Sequence, residues 1–105
     1  MKYNKLVRDN IPEILENKGS KIKTYICDDQ EYFERLKKKL QEEVNEFLQD
    51  DTIEELADIL EVVYALSKHK NTSVEELEKI RKEKLQKRGG FDKKIILVEA
   101  TKVDL

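Results

Sequence analysis

From Phe33 to Leu66 the apolar residues recur every three or four positions, with one interruption at Gln49-Asp50-Asp51. That period does not suit strands; it describes two amphipathic helices joined by a tight turn. On the first, Phe33, Leu36, Leu40, Val44 and Phe47 form one stripe of a helix expected from about Gln30 to Gln49, with Asp28 or Asp29 to cap it. The second opens at Thr52, with Glu55 at capping-box spacing, and runs to about Lys68. Ile53, Leu56, Leu60, Val63 and Tyr64 make one of its stripes, and Ile59, Val62 and Leu66 make another. Only the line through Glu54, Glu61 and Lys68 is left for solvent, so this helix is expected to be the buried centre.

The flanking segments add smaller elements. Asp9-Asn10-Ile11-Pro12 reads as a helix entry, because an Asx side chain caps free amides and proline is tolerated in the first turn. A short helix to about Lys18 follows, stopped by Gly19. Ser73 and Glu76 have capping-box spacing, and Val74, Leu77, Ile80 and Leu85 carry a last helix to Gly89-Gly90. Lys21-Ile22-Lys23-Thr24-Tyr25-Ile26 alternates polar with apolar, and Ile95-Ile96-Leu97-Val98 is a short apolar run; both read as strands that pair. The expected fold is mainly all-α, four helices with a short two-stranded β ribbon, in one domain spanning residues 1–105.

Hydrophobic residues are 38% of the 105 and charged residues 42%, a balance that favours helices with wide solvated faces and suits a subunit that completes its core against a partner. A formal net charge of −2 provides no field to attract a nucleic acid polymer. The single cysteine, Cys27, has no internal disulfide partner, and the N-terminus lacks the cationic and apolar pattern of an export signal. No apolar run approaches membrane-spanning length. A cytoplasmic protein without membrane association is expected.

The chemistry lies in the acids of the two long helices. Glu43 and Glu46 on the first, and Glu55 and Asp58 on the second, stand three apart and project from adjacent turns of one side. Antiparallel packing brings such pairs together, and four converging carboxylates suit magnesium, a hard cation that prefers oxygen ligands. At about 100° per residue, Glu55 falls in line with Ile59, Val62 and Leu66 rather than with the solvated line. An acid in an apolar stripe needs a reason. The alternative for Glu55 is completion of the Thr52 capping box, and for Glu42, Glu43 and Glu46 a solvated face on a lysine-rich helix.

Glu43-x-x-Glu46 and Glu55-x-x-Asp58, within Lys39-Leu40-Gln41-Glu42-Glu43-Val44-Asn45-Glu46 and Glu54-Glu55-Leu56-Ala57-Asp58-Ile59-Leu60, resemble the signature helices of the MazG-like all-α NTP pyrophosphohydrolase superfamily. Lys5-Leu6-Val7-Arg8-Asp9-Asn10-Ile11-Pro12 and Lys84-Leu85-Gln86-Lys87-Arg88-Gly89-Gly90-Phe91 further resemble its phosphoribosyl-ATP pyrophosphohydrolase-like subgroup. The interval from Glu46 to Glu55 is shorter than in many members, which demands a tight turn. The resemblance implies a compact four-helix bundle and magnesium-dependent hydrolysis of a nucleoside triphosphate to monophosphate and pyrophosphate. It implies Glu43, Glu46, Glu55 and Asp58 as magnesium ligands, and Lys5, Arg8, Lys84 and Arg88 as phosphate-binding cations. Glu42, beside Glu43, is a candidate outer-shell group or general base. A homodimer or dimer of dimers is implied as well.

Three of the four cations have a plainer role to weigh against this. Lys84 and Arg88 suit a helix C-terminus, and Lys5 suits an ordinary surface. Tyr3, Tyr25, Phe33 and Phe91 are possible stacking surfaces for a base, whereas His69 and Cys27 have no partner motif. A non-catalytic helical interaction or regulatory subunit explains the composition equally well, but not two acidic pairs at matching spacing. A ferritin-like di-iron site normally needs Glu-x-x-His pairs, and the chain's one histidine has no glutamate three residues before it.

Overall fold

The computed structural model describes residues 4–102, which carry four α-helices and no strand. These are α1 (Ile11–Asn17), α2 (Asp29–Asp50), α3 (Ile53–His69) and α4 (Val74–Arg88). The chain divides into two compact units, Met1–Val74 and Glu75–Leu105. Tyr3, one of the possible stacking residues, lies outside the described residues.

The first unit is organised by packing of α2 on α3. Asp28 caps α2, its side chain accepting a hydrogen bond from the Glu31 amide at 2.8 Å. Only Asp51 and Thr52 join the two helices. Asp51 makes that turn by adopting a left-handed conformation, φ 57°, from which its amide donates to the Phe47 carbonyl at 2.8 Å. Aspartate tolerates this region better than most residues because its short polar side chain can hydrogen-bond locally and offset part of the Cβ clash. A β-branched residue does not, so Asp51→Ile is expected to cost about 1–2 kcal/mol of unfolding free energy while Asp51→Gly costs none, as read by urea denaturation.

Thr52 is the N-cap of α3, but its side chain makes no capping hydrogen bond. The expected capping role is therefore absent at the threonine end, and Glu55 is half-buried rather than solvated. The inward stripe of α3 is the one through Glu55, Ile59, Val62 and Leu66. Val62 is buried and the other three are half-buried, with Leu36 of α2 buried as well. The other stripe departs from expectation over its first half: Ile53, Leu56 and Leu60 are exposed, at 76%, 43% and 47%, while Val63 and Tyr64 are half-buried. One helical neighbour covers only one side of α3, so a helix with two apolar stripes is not the buried centre of this unit.

Towards the far end of the hairpin, His69 stacks on Phe33 with ring centroids 5.0 Å apart, and Tyr32 meets its edge at 5.7 Å. Lys37 and Lys70 lie over the same Phe33 ring, at 4.4 and 5.5 Å. These contacts give His69 a packing role and cover Phe33. Ser67, buried on the last turn of α3, donates to the Thr72 carbonyl at 2.8 Å. The N-terminal segment is tied to α2 by Arg35, which donates to the Asn4 carbonyl at 2.7 Å and pairs with Glu31 at 3.2 Å. Tyr25 also donates to Glu31.

In the second unit, α4 has no buried residue, and Ile80 and Leu85 are exposed. Its end is set by Gly89, whose positive φ of 79° lets the amide return to the Leu85 carbonyl at 2.8 Å. The two expected strands do not form: residues 21–26 and 95–98 are extended or irregular, and Tyr25, Ile26, Ile95, Ile96, Leu97 and Val98 are exposed. Alternation and β-branching favour an extended chain, but a strand exists only where a second one completes its ladder. Among the described residues, no helix is long and apolar enough to cross a membrane.

Candidate metal centre

The turn at Asp51-Thr52 returns α3 alongside α2, and so sets the first two turns of α3 beside a site about two turns before the end of α2. Carboxylate oxygens of Glu43, Glu55 and Asp58 consequently lie within 4.8 Å of one another. Glu43 is buried, with 7% of its surface exposed, and Glu55 and Asp58 are half-buried. Among the described residues, the buried side-chain oxygens without a hydrogen-bond partner are Glu43 Oε2 and Glu55 Oε2. Both belong to this cluster.

Burying a charged oxygen without a partner costs about 1–3 kcal/mol or more, and here the cost falls on neighbouring groups of like charge. Burial, reinforced by the charge of Glu46 and opposed by Lys39, raises the Glu43 carboxyl above its ordinary pKa. The N-terminal turn of α3 carries Glu54 and Glu55, and its helix dipole offsets part of the repulsion. A divalent cation among the three residues would neutralise the remainder. Their chemistry fits one: all donors are hard oxygens, two are unpartnered, and the small protein set leaves positions for water and phosphate oxygens.

Glu46, the fourth expected ligand, is half-buried one turn after Glu43 and acts on it electrostatically, but it is not one of the three clustered carboxylates. Two expected phosphate-binding cations border the cluster. Arg8 Nη2 lies 2.6 Å from Asp58 Oδ1, and Lys5 Nζ lies 3.3 Å from Glu42 Oε1. Both are exposed and so accessible to a ligand. Lys84 and Arg88 lie on the last turns of α4, in the second unit, and are also exposed.

Glu42 is held by two lysines, Lys5 and Lys39, the latter with Nζ at 3.5 Å. Burial alone would raise its pKa, but the two lysines outweigh that and lower it. This stabilises the anion and weakens it as a base. Lys39, which is not among the expected site residues, also reaches Glu43 Oε1, at 3.4 Å. Its signal was its spacing, three residues before Glu42 and four before Glu43, but Lys37 and Lys38 beside it dilute that signal. No family model, curated protein or solved structure matches the chain.

Proposed function

We propose that this chain is a cytoplasmic, magnesium-dependent nucleoside triphosphate pyrophosphohydrolase of the MazG-like kind. The observation that carries the reading is the Glu43–Glu55–Asp58 cluster with its two buried, unpartnered oxygens. Arg8 and Lys5 beside it supply the positive charge that a polyphosphate requires. A structural ion-pair network alone leaves those oxygens unexplained.

In this reading Glu43, Glu55 and Asp58 hold magnesium, with Glu46 close enough to add negative charge. Bound magnesium polarises phosphoryl oxygens and offsets their charge. Lys5 and Arg8 exchange carboxylate partners for phosphate oxygens and stabilise charge developing on the leaving group. Water adds to the α-phosphorus, the bond to the α,β-bridging oxygen breaks, and nucleoside monophosphate and pyrophosphate leave with release of a proton. Glu42, kept anionic by two lysines, is suited to orient the attacking water; its lowered pKa makes it a weak proton acceptor.

The exposed Ile53, Leu56 and Leu60 support a homodimer or a dimer of dimers, in which a second copy covers this face of α3. Sedimentation is expected to give a mass above that of one chain, and Leu56→Glu with Leu60→Glu to return it to one. A one-chain mass for the unmodified protein contradicts the dimer. The enzyme reading is tested by pyrophosphate release from standard and modified NTPs and dNTPs, with magnesium and with EDTA. Release that EDTA abolishes supports it; no release from any member of the panel favours a non-catalytic interaction role.

A further inference from the structure

We infer that Lys39 determines which divalent cation the centre prefers, by holding one oxygen of Glu43 and leaving the other free. The inference rests on the cluster being a divalent-cation site. Lys39 sits one turn before Glu43 on α2, with only 19% of its side chain exposed. Its ammonium is 3.4 Å from Glu43 Oε1 and 3.5 Å from Glu42 Oε1. Lys5 reaches the same Glu42 oxygen, at 3.3 Å. Lys5, Glu42, Lys39 and Glu43 thus form an unbroken chain of alternating charge that ends at a buried carboxylate.

That chain treats the two oxygens of Glu43 differently. Oε1 is occupied by Lys39, and Oε2 is buried with no partner. A carboxylate held through one oxygen offers a cation the other and resists chelating with both. Magnesium and manganese accept such a donor, since they require near-octahedral geometry and short bonds to single oxygens. Calcium is larger, takes six to eight oxygens and commonly uses both oxygens of a carboxylate. Fixing Glu43 in this way therefore favours the smaller ions.

The competing account makes Lys39 a bystander charge that repels every divalent cation alike. A ratio separates the two, because Mn2+ and Ca2+ carry the same charge and loss of a lysine charge acts equally on both affinities. Calorimetric titration of the full chain with Mn2+ and, separately, with Ca2+ gives that ratio without relying on turnover. Lys39→Met is expected to lower the preference for Mn2+ over Ca2+ roughly tenfold, within the usual range for losing a group that orients a metal ligand. Lys39→Arg, which keeps a donor for Oε1, is expected to restore the preference. Glu42→Gln removes the competing carboxylate and leaves Lys39 to Glu43, so it is expected to raise the preference for Mn2+ over Ca2+, a shift that reads the same contact should Lys39→Met fail to fold.

An unchanged ratio in Lys39→Met, or in Glu42→Gln if that is the variant that folds, overturns the inference, even if both affinities rise together. Failure of the unmodified protein to bind either ion overturns the divalent-site reading and this inference with it. Binding with an unchanged ratio removes only the role of Lys39.

Discussion

Glu43→Gln is expected to reduce magnesium-dependent pyrophosphate release on the order of a hundred- to a thousandfold, with the helical circular dichroism signal unchanged. The substitution keeps the volume of the side chain and removes its charge. Glu43 is the most buried of the three clustered acids and carries one of the two unpartnered oxygens, so no neighbouring water-exposed group readily replaces it. Asp58→Asn is expected to act in the same direction. It also removes the charge paired with Arg8 at 2.6 Å, so the loss should include weaker substrate binding as well as slower turnover. Steady-state kinetics across a magnesium series checks both variants. Full activity in either removes that residue from the site.

The second large effect is on stability, and its sign depends on the metal. In EDTA, Glu43→Gln is expected to unfold at higher denaturant than the unmodified protein, by about 1 kcal/mol. The unmodified chain must bury an anion close to Glu55 and Asp58, and the neutral amide removes that repulsion. Loss of the ion pair with Lys39 reduces the gain without cancelling it, because Lys39 keeps Glu42 as a partner. In magnesium at one hundred times its dissociation constant the order should reverse. The unmodified protein then gains about 2.7 kcal/mol from binding, and the variant, lacking a ligand charge, gains much less. Urea titrations of both proteins, with EDTA and with magnesium, read the crossing directly. Curves that keep one order in both conditions contradict a metal-neutralised cluster.

These effects follow from features that differ in how visible they are along the chain. The four helices are legible because capping, period and breaker agree locally: Asp28, the α2 stripe and the Asp51 turn all point to the same hairpin. Glu55 is legible for the same reason. Its angular position with Ile59, Val62 and Leu66 depends only on helix geometry, and that stripe turns inward. The stripe through Ile53, Leu56, Leu60, Val63 and Tyr64 has the same period, yet its first three members are exposed and its last two half-buried, since periodicity states which residues share a side and not which side is covered.

Long-range pairing is the part that spacing does not encode. Arg8 meets Asp58 across 50 positions and Lys5 meets Glu42 across 37, relations set by where the N-terminal segment lies on the hairpin. Only the family resemblance pointed to those cations. The expected strands fail on the same ground, because local β preference in residues 21–26 and 95–98 says nothing about whether a partner is present. Lys39 is the converse case. Its spacing to Glu42 and Glu43 is local and readable, yet its burial separates it from Lys37 and Lys38, which are exposed.

The most direct test of the centre is the phosphorus spectrum of a nucleoside triphosphate that the protein consumes, followed with magnesium, with EDTA and with Glu43→Gln. Monophosphate and pyrophosphate are expected as the only products with magnesium, with triphosphate unchanged in EDTA and consumed on the order of a hundred- to a thousandfold more slowly by Glu43→Gln. Diphosphate with inorganic phosphate, or the same products from Glu43→Gln at the unmodified rate, would contradict this assignment.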